Sequence, residues 1–201
     1  MIIHQLFPEP LYFSKLERVL TQEELKIINE HEKKTQKNEG NSRTYDNYVL
    51  EHKALKNLKK DIQTKVMDYF DKVVCTNNIT PYITQSWINY TESDQFHHRH
   101  SHPNSLVSGI FYISADKKVD SVTFYKGYLD HRIKLDITKY NIFSSSTCTF
   151  QVETGNILLF RSSLEHGVKN KKGNNIRISL SFNVFIKGTV GNKNDLTELI
   201  I

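Results

Sequence analysis

Ile176-Arg177-Ile178-Ser179-Leu180-Ser181-Phe182-Asn183-Val184-Phe185-Ile186 is the most informative run in the chain. Its even-numbered residues are all apolar, whereas Arg177, Ser179, Ser181 and Asn183 occupy odd positions. Successive side chains of a β-strand point to opposite faces, so this segment reads as a strand with one packing face and one polar face. An arginine and three small polar residues on one face read either as an ordinary solvent side or as the floor of a site. What the rest of the chain brings to that face decides between them.

The same period of two recurs after Pro81, in Tyr82 to Tyr90, Leu106 to Ile113, Ser121 to Tyr125, Arg132 to Ile137, Thr147 to Val152 and Ile157 to Phe160. Short strands with turns and no helices between them predict a sandwich or double-sheet jelly roll rather than a parallel α/β sheet. The first third reads as helical. Thr21 and Glu24 form a capping box ahead of Leu25, Ile27, Ile28 and His31, until the polar stretch Thr35 to Ser42. Leu55, Leu58, Ile62, Val66, Met67, Phe70 and Val73 then lay one apolar stripe along a second helix, about Lys53 to Val74. The expected organisation is a single domain over 1–201, with 1–80 mostly helical support and 81–190 the β core.

Composition sets the class. The chain has 201 residues, 38% hydrophobic and 24% charged, without a long Pro, Gly or Ser tract, which describes a globular protein able to bury a core. The net charge of +5 comes from scattered lysines with short clusters such as Lys59 and Lys60, or Lys169, Lys171 and Lys172. That pattern favours a solvated surface over a nucleic-acid groove. Cys75 and Cys148 have no metal or redox spacing, so a reduced, intracellular setting and core positions are expected for both. The start carries no leader pattern and no run of about 18 apolar residues occurs, so a soluble cytoplasmic protein without a membrane partner is expected.

Four of the nine histidines fall within Phe96-His97-His98-Arg99-His100-Ser101-His102-Pro103. In an extended segment His98, His100 and His102 share one face, while His97 and Arg99 share the other, so a pair two residues apart can chelate one metal ion. A third ligand has to come from a distant strand. His166 is the best candidate, following an apolar strand that begins at Gly155 and preceding the strand of Arg177. His4, His31, His52 and His131 lack such company and read as surface or helix residues. Glu165 beside His166 points away from the metal if that segment is a strand. Imidazole suits zinc, copper, iron or nickel, so the donors alone do not select the metal. No G-x-S-x-G elbow, phosphate loop, Cys-x-x-Cys or H-E-x-x-H is present to support other chemistries.

Taken together, Ser86-Trp87-Ile88-Asn89, the His97 to Ser105 run, Ser108-Gly109-Ile110-Phe111-Tyr112-Ile113, Gly155-Asn156-Ile157-Leu158-Leu159-Phe160 with His166, and Arg177-Ile178-Ser179 with Phe182-Asn183 carry a resemblance. The chain resembles the 2-oxoglutarate and iron(II)-dependent oxygenases, prolyl-hydroxylase-like members included, in particular a branch common in phage and bacterial genomes. The resemblance implies a double-stranded β-helix of the cupin-like jelly-roll type, buttressed by the two helices. It implies iron(II), 2-oxoglutarate as co-substrate and O2, with His100, His102 and His166 as metal ligands. It further implies that Arg177 and Ser179, an R-x-S element, grip the far carboxylate of 2-oxoglutarate, with Tyr112 placed to add a hydroxyl. Arginine suits that task because its planar fork makes two parallel hydrogen bonds to a carboxylate.

His102 departs from the family pattern, which has Asp or Glu there. Three neutral imidazoles leave the +2 charge of the metal uncompensated until an anion binds. His98 with His100, or a carboxylate such as Asp94 completing the site, are the other ligand sets open at this point; the distance to the Gly109 to Ile113 strand favours His100 with His102. The implied activity is a dioxygenase coupling decarboxylation of 2-oxoglutarate to hydroxylation of a peptidyl or small-molecule side chain. Two other classes compete: a non-catalytic metal-binding jelly-roll module, and a metal-dependent nuclease, which lacks the paired carboxylates of two-metal chemistry.

Overall fold

A computed structural model describes residues 1–127 and 136–201. In chain order these contain β1 (Tyr12–Lys15), α1 (Gln22–Glu32), β2 (Thr35–Lys37), β3 (Ser42–Thr44), α2 (Lys56–Tyr69), β4 (Ile79–Thr91), β5 (His97–His100), β6 (Val107–Ser114), β7 (Ser121–Tyr125), β8 (Thr147–Gln151), β9 (Asn156–Arg161), β10 (His166–Val168), β11 (Arg177–Val190) and β12 (Leu199–Ile200). The larger sheet runs β1-β9-β6-β11-β4-β3-β2, with β12 added to β11, and the smaller runs β5-β10-β7-β8. Every pairing within the two sheets is antiparallel. The fold is a jelly roll, mainly β, with the two helices supporting it.

Thr21 starts α1 as a reciprocal capping box: its Oγ accepts from the Glu24 amide at 3.2 Å, and the Glu24 carboxylate accepts from the Thr21 amide at 2.8 Å. On α2 the residues Leu58, Ile62, Val66 and Tyr69 are fully buried, spaced to keep one stripe on the sheet. They pack with Ile88, Leu159, Leu180, Phe182 and Val184 in the larger core. A second core of Ile110, Tyr112, Val122, Phe124, Val152, Leu158 and Phe160 joins the two sheets. Strand alternation builds both at once: Leu180 and Phe182 of β11 face the helices, while Ser179 and Ser181 face inward between the sheets.

Gly109 lies directly across from Phe182 in the register of β6 and β11, and a Cβ there would fall 2.0 Å from the Phe182 ring. That ring is fully buried with nowhere to move. Gly109→Ala is therefore expected to lower unfolding stability by about 2 kcal/mol, the cost of overpacking a close-packed core, as a downward shift of the urea midpoint.

Several expectations need correction. The first third is not wholly helical: β1 pairs with β9, and Thr35–Lys37 with Ser42–Thr44 form a hairpin that extends the larger sheet through β4. These strands are three or four residues long and half-exposed, too short to show a period. Both cysteines are exposed rather than in the core. Lys171 is buried, not part of a solvated lysine cluster: its ammonium donates to the Lys172 and Gly173 carbonyls and to Asn175, and sits 3.8 Å from Asp120. The strand expected at Arg132 to Ile137, with His131 before it, lies for the most part outside the described residues. No helix among the described residues is long and apolar enough to cross a membrane.

Candidate metal centre

The polar face of β11 is not a solvent side. Arg177, Ser179 and Ser181 are 2%, 4% and 9% exposed, and they line a cavity between the two sheets. β10 brings His166 into that cavity, β5 and the turn after it bring His100 and His102, and β6 brings Tyr112. The six candidate site residues of the sequence, His100, His102, Tyr112, His166, Arg177 and Ser179, thus line one cavity, with Ser181 beside them.

His100, His102 and His166 each present a ring nitrogen within 4.8 Å of the others, and their ring centroids are 4.4 to 5.2 Å apart. Nδ1 of His100 lies 2.8 Å from the His98 carbonyl, and Nδ1 of His166 lies 3.1 Å from the Leu164 carbonyl. A carbonyl only accepts, so each Nδ1 carries the proton and each Nε2 keeps a lone pair for a metal. Burial pushes His166 down to about 3 and His102 down to about 4, and lowers His100 against the bond to the His98 carbonyl, with neighbouring imidazoles adding to burial at all three. The three rings are therefore neutral at physiological pH, the form in which imidazole ligates. Among the described residues no carboxylate joins them. Asp94 is exposed and paired to Lys172, and Glu165 is paired to Arg99.

Arg177 is buried with little to hold its charge. Its guanidinium donates to the Ser121 carbonyl and to Thr91 Oγ, both at 3.2 Å, and its Nε has no partner. The nearby Asp120 is already taken by the Asp116 amide, by Asn175 and by the charge of Lys171. Burial lowers the Arg177 pKa, with Tyr112 and Asp120 opposing the shift, and the Arg177 charge in turn works against the burial that raises Tyr112 to about 12. The Oδ1 of Asn89, another residue lining the cavity, is also unpaired. An unmet buried Nε–H on a poorly compensated cation is the signature of a place meant for an anion, whereas the Asn89 oxygen, an acceptor, calls for a donor beside it.

The enclosed interior is small, about 20 Å³, the room of a single water molecule. Trp87, stacked on His102 at 5.6 Å, and His102 itself line this cavity and two larger grooves of about 690 and 290 Å³. Admitting anything larger than water requires this wall or the imidazoles to move.

Simple alternation does not hold in β5. His100 pairs with His166 but His97 pairs with Val168, so His98 and Arg99 stand opposite the single residue Gly167. This bulge turns His97 onto the same side as His100, into the cavity, and leaves His98 in the 290 Å³ groove. Sequence reasoning misses His97 as a site residue because a strand period of two puts it on the far face. Its ring stacks on His100 at 4.5 Å, and burial together with the neighbouring imidazoles and Arg177 takes its pKa down to about 2. Gly167 makes the bulge possible, since a Cβ there would meet the His97 and His98 carbonyls at 2.9 and 3.0 Å. Gly167→Ala is expected to push β5 away from β10 and weaken metal binding about tenfold, read by metal titration of the folded variant.

Residues 85–183 match the family model described as "Putative 2OG-Fe(II) oxygenase". HygX from Streptomyces hygroscopicus, solved with nickel, 2-oxoglutarate and hygromycin B bound, has the same fold at a TM-score of 0.59 and 13% identity, over 88% of this chain and 82% of that one. A prolyl hydroxylase from Trichoplax adhaerens, in complex with a hypoxia inducible factor peptide fragment, gives 0.59 at 13%, over 87% and 83%. An oxidoreductase of the 2OG-Fe(II) oxygenase family from Burkholderia pseudomallei gives 0.55 at 15%, over 81% and 78%. No curated protein matches the chain by sequence.

Proposed function

The chain belongs to the 2-oxoglutarate/Fe(II)-dependent oxygenase superfamily, and on that premise we propose that it is a 2-oxoglutarate-dependent dioxygenase of hydroxylase type. His100, His102 and His166 would hold the iron, and Arg177 with Ser179 and Tyr112 the co-substrate. The observation that carries this reading is a neutral imidazole triad and an under-paired buried guanidinium facing one cavity. When bound, iron(II) and 2-oxoglutarate supply oxidising power from O2, the keto acid leaving as succinate and CO2.

The protein's own part is positioning. The carbonyls of His98 and Leu164 fix the tautomers of two ligands, and Thr91 with the Ser121 carbonyl aims the guanidinium fork. Three neutral ligands leave the metal at +2, and the dianionic keto acid would offset two of the three positive charges that the metal and Arg177 present. Phe160, Val122 and Ile110 form the apolar part of the wall and keep water from the reacting centre. Tyr82, Gln85, Asn104, Asn183 and Phe185 line the larger groove beside Trp87, where they offer stacking and amide hydrogen bonds to a peptidyl or small-molecule side chain.

The test is release of labelled CO2 from 1-labelled 2-oxoglutarate by anaerobically iron-loaded protein after admission of O2, with succinate measured in parallel. Turnover that disappears in His166→Ala supports the reading. Full iron occupancy with neither slow uncoupled nor substrate-stimulated release would favour the non-catalytic metal module.

A further inference from the structure

A second group of three imidazoles lies outside the triad. One ring nitrogen each of His97, His98 and His100 falls within 4.8 Å of the others, with ring centroids 4.5 to 5.2 Å apart. All three line the 290 Å³ groove that opens to solvent beside Asn38, Arg43 and Gln85. His98 adds an independent observation: its Nδ1 is buried yet has no hydrogen-bond partner among the described residues, and an acidic oxygen, Glu39 Oε2, stands 3.8 Å away. That separation is too long for a hydrogen bond and leaves room for something between. The His97 ring is held by the Asn38 amide, 3.2 Å from its Nε2.

We propose that His97, His98 and His100, with Glu39 beside them, form an outer binding site for a late first-row divalent cation, and that it competes with the inner triad for His100. The donor set is that of borderline cations such as cobalt, nickel, copper and zinc, and Glu39 brings the carboxylate charge that the inner site lacks. Exclusion follows from one bond. His100 Nδ1 is committed to the His98 carbonyl, so only Nε2 can ligate, and one lone pair serves one ion. The chain thus holds a single ion in either of two modes, and the outer mode withdraws a ligand from the inner site. The bulge in β5 produces this arrangement, because in a regular strand His97 would face away.

The inner half of the proposal rests on the function proposed above, while the test reads binding rather than turnover. Full-length protein stripped of metal is titrated with Co2+, followed by its visible ligand-field bands, and stoichiometry is measured by equilibrium dialysis. Wild type is expected to bind one ion per chain. His166→Ala and His102→Ala each dismantle the inner triad and are both expected still to bind one ion, within about 100-fold of wild type, the outer site taking over. Adding His98→Ala to either is expected to weaken binding by about a further 100-fold. His98→Ala alone should stay near wild type.

Absence of Co2+ binding in both folded inner-triad variants would overturn the outer site and leave the proposed function standing. An unchanged affinity on adding His98→Ala to those variants would overturn it equally. Loss of binding in His98→Ala alone would instead overturn the inner ligand set while supporting the outer one. Two inner variants are used because buried His166 is the more exposed to folding failure.

Discussion

Replacing Arg177 by methionine is expected to raise the KM for 2-oxoglutarate by about 100-fold or more while leaving the folded protein at least as stable as wild type. Removing one member of a buried charge pair costs about 2–5 kcal/mol of binding, and each 1.4 kcal/mol is a factor of about ten. In most proteins such a deletion also harms the fold, but here the free protein has little to lose. The guanidinium makes two 3.2 Å bonds to neutral acceptors and leaves Nε unpaired, and burial already lowers its pKa. A buried charge with so few partners carries a desolvation cost that methionine removes, so the replacement is expected to be neutral or stabilising. Urea melts of the free protein and succinate production against 2-oxoglutarate concentration separate the two effects. A stable variant with unchanged KM would remove Arg177 from the co-substrate site. Arg177→Lys should recover part of the affinity only, since an ammonium cannot present the fork.

The metal-free protein is expected to lose stability steeply on acidification from about pH 7 to about pH 5. His97, His102 and His166 have folded pKa values pushed down to about 2, 4 and 3, against 6.5 for a free imidazole. The folded state keeps them neutral in this window while the unfolded chain takes up protons, so unfolding binds protons and stability falls as pH falls. At 1.36 kcal/mol per pH unit, each ring costs about 2 kcal/mol by about pH 5. Three rings together rival a large part of the 5–15 kcal/mol that holds an ordinary domain. Bound metal stabilises by mass action, since it takes the neutral ligands. Urea midpoints of chelator-treated and metal-loaded protein across that range give the profile. A flat profile for the metal-free protein would mean that these imidazoles are not held neutral in the fold.

How far the site is legible in the sequence differs by residue. Arg177, Ser179 and Ser181 can be placed on one face because β11 is long and keeps its alternation over them, and the structure adds that this face is buried. His166 can be nominated from its position after an apolar strand, although its bond to the Leu164 carbonyl cannot. The histidine run is legible as a cluster but not in its facing. Its alternation is broken by a bulge whose cause, the space over Gly167, lies on another strand. Lys171 misleads for the same kind of reason, since its partners arrive through a turn and through Asp120, far away in the chain.

By itself the sequence determined the β-rich jelly roll with two supporting helices, the histidine cluster with His166, and the arginine strand. Each of these is carried by a local period or by a residue pattern dense enough to survive without its neighbours. Only the tertiary structure decided which histidines share a cavity, which nitrogen of His100 and of His166 is free, and that the Arg177 Nε lacks a partner. Those properties depend on groups brought together across two sheets, where one extra residue in a strand or one missing Cβ turns a side chain from one face to the other.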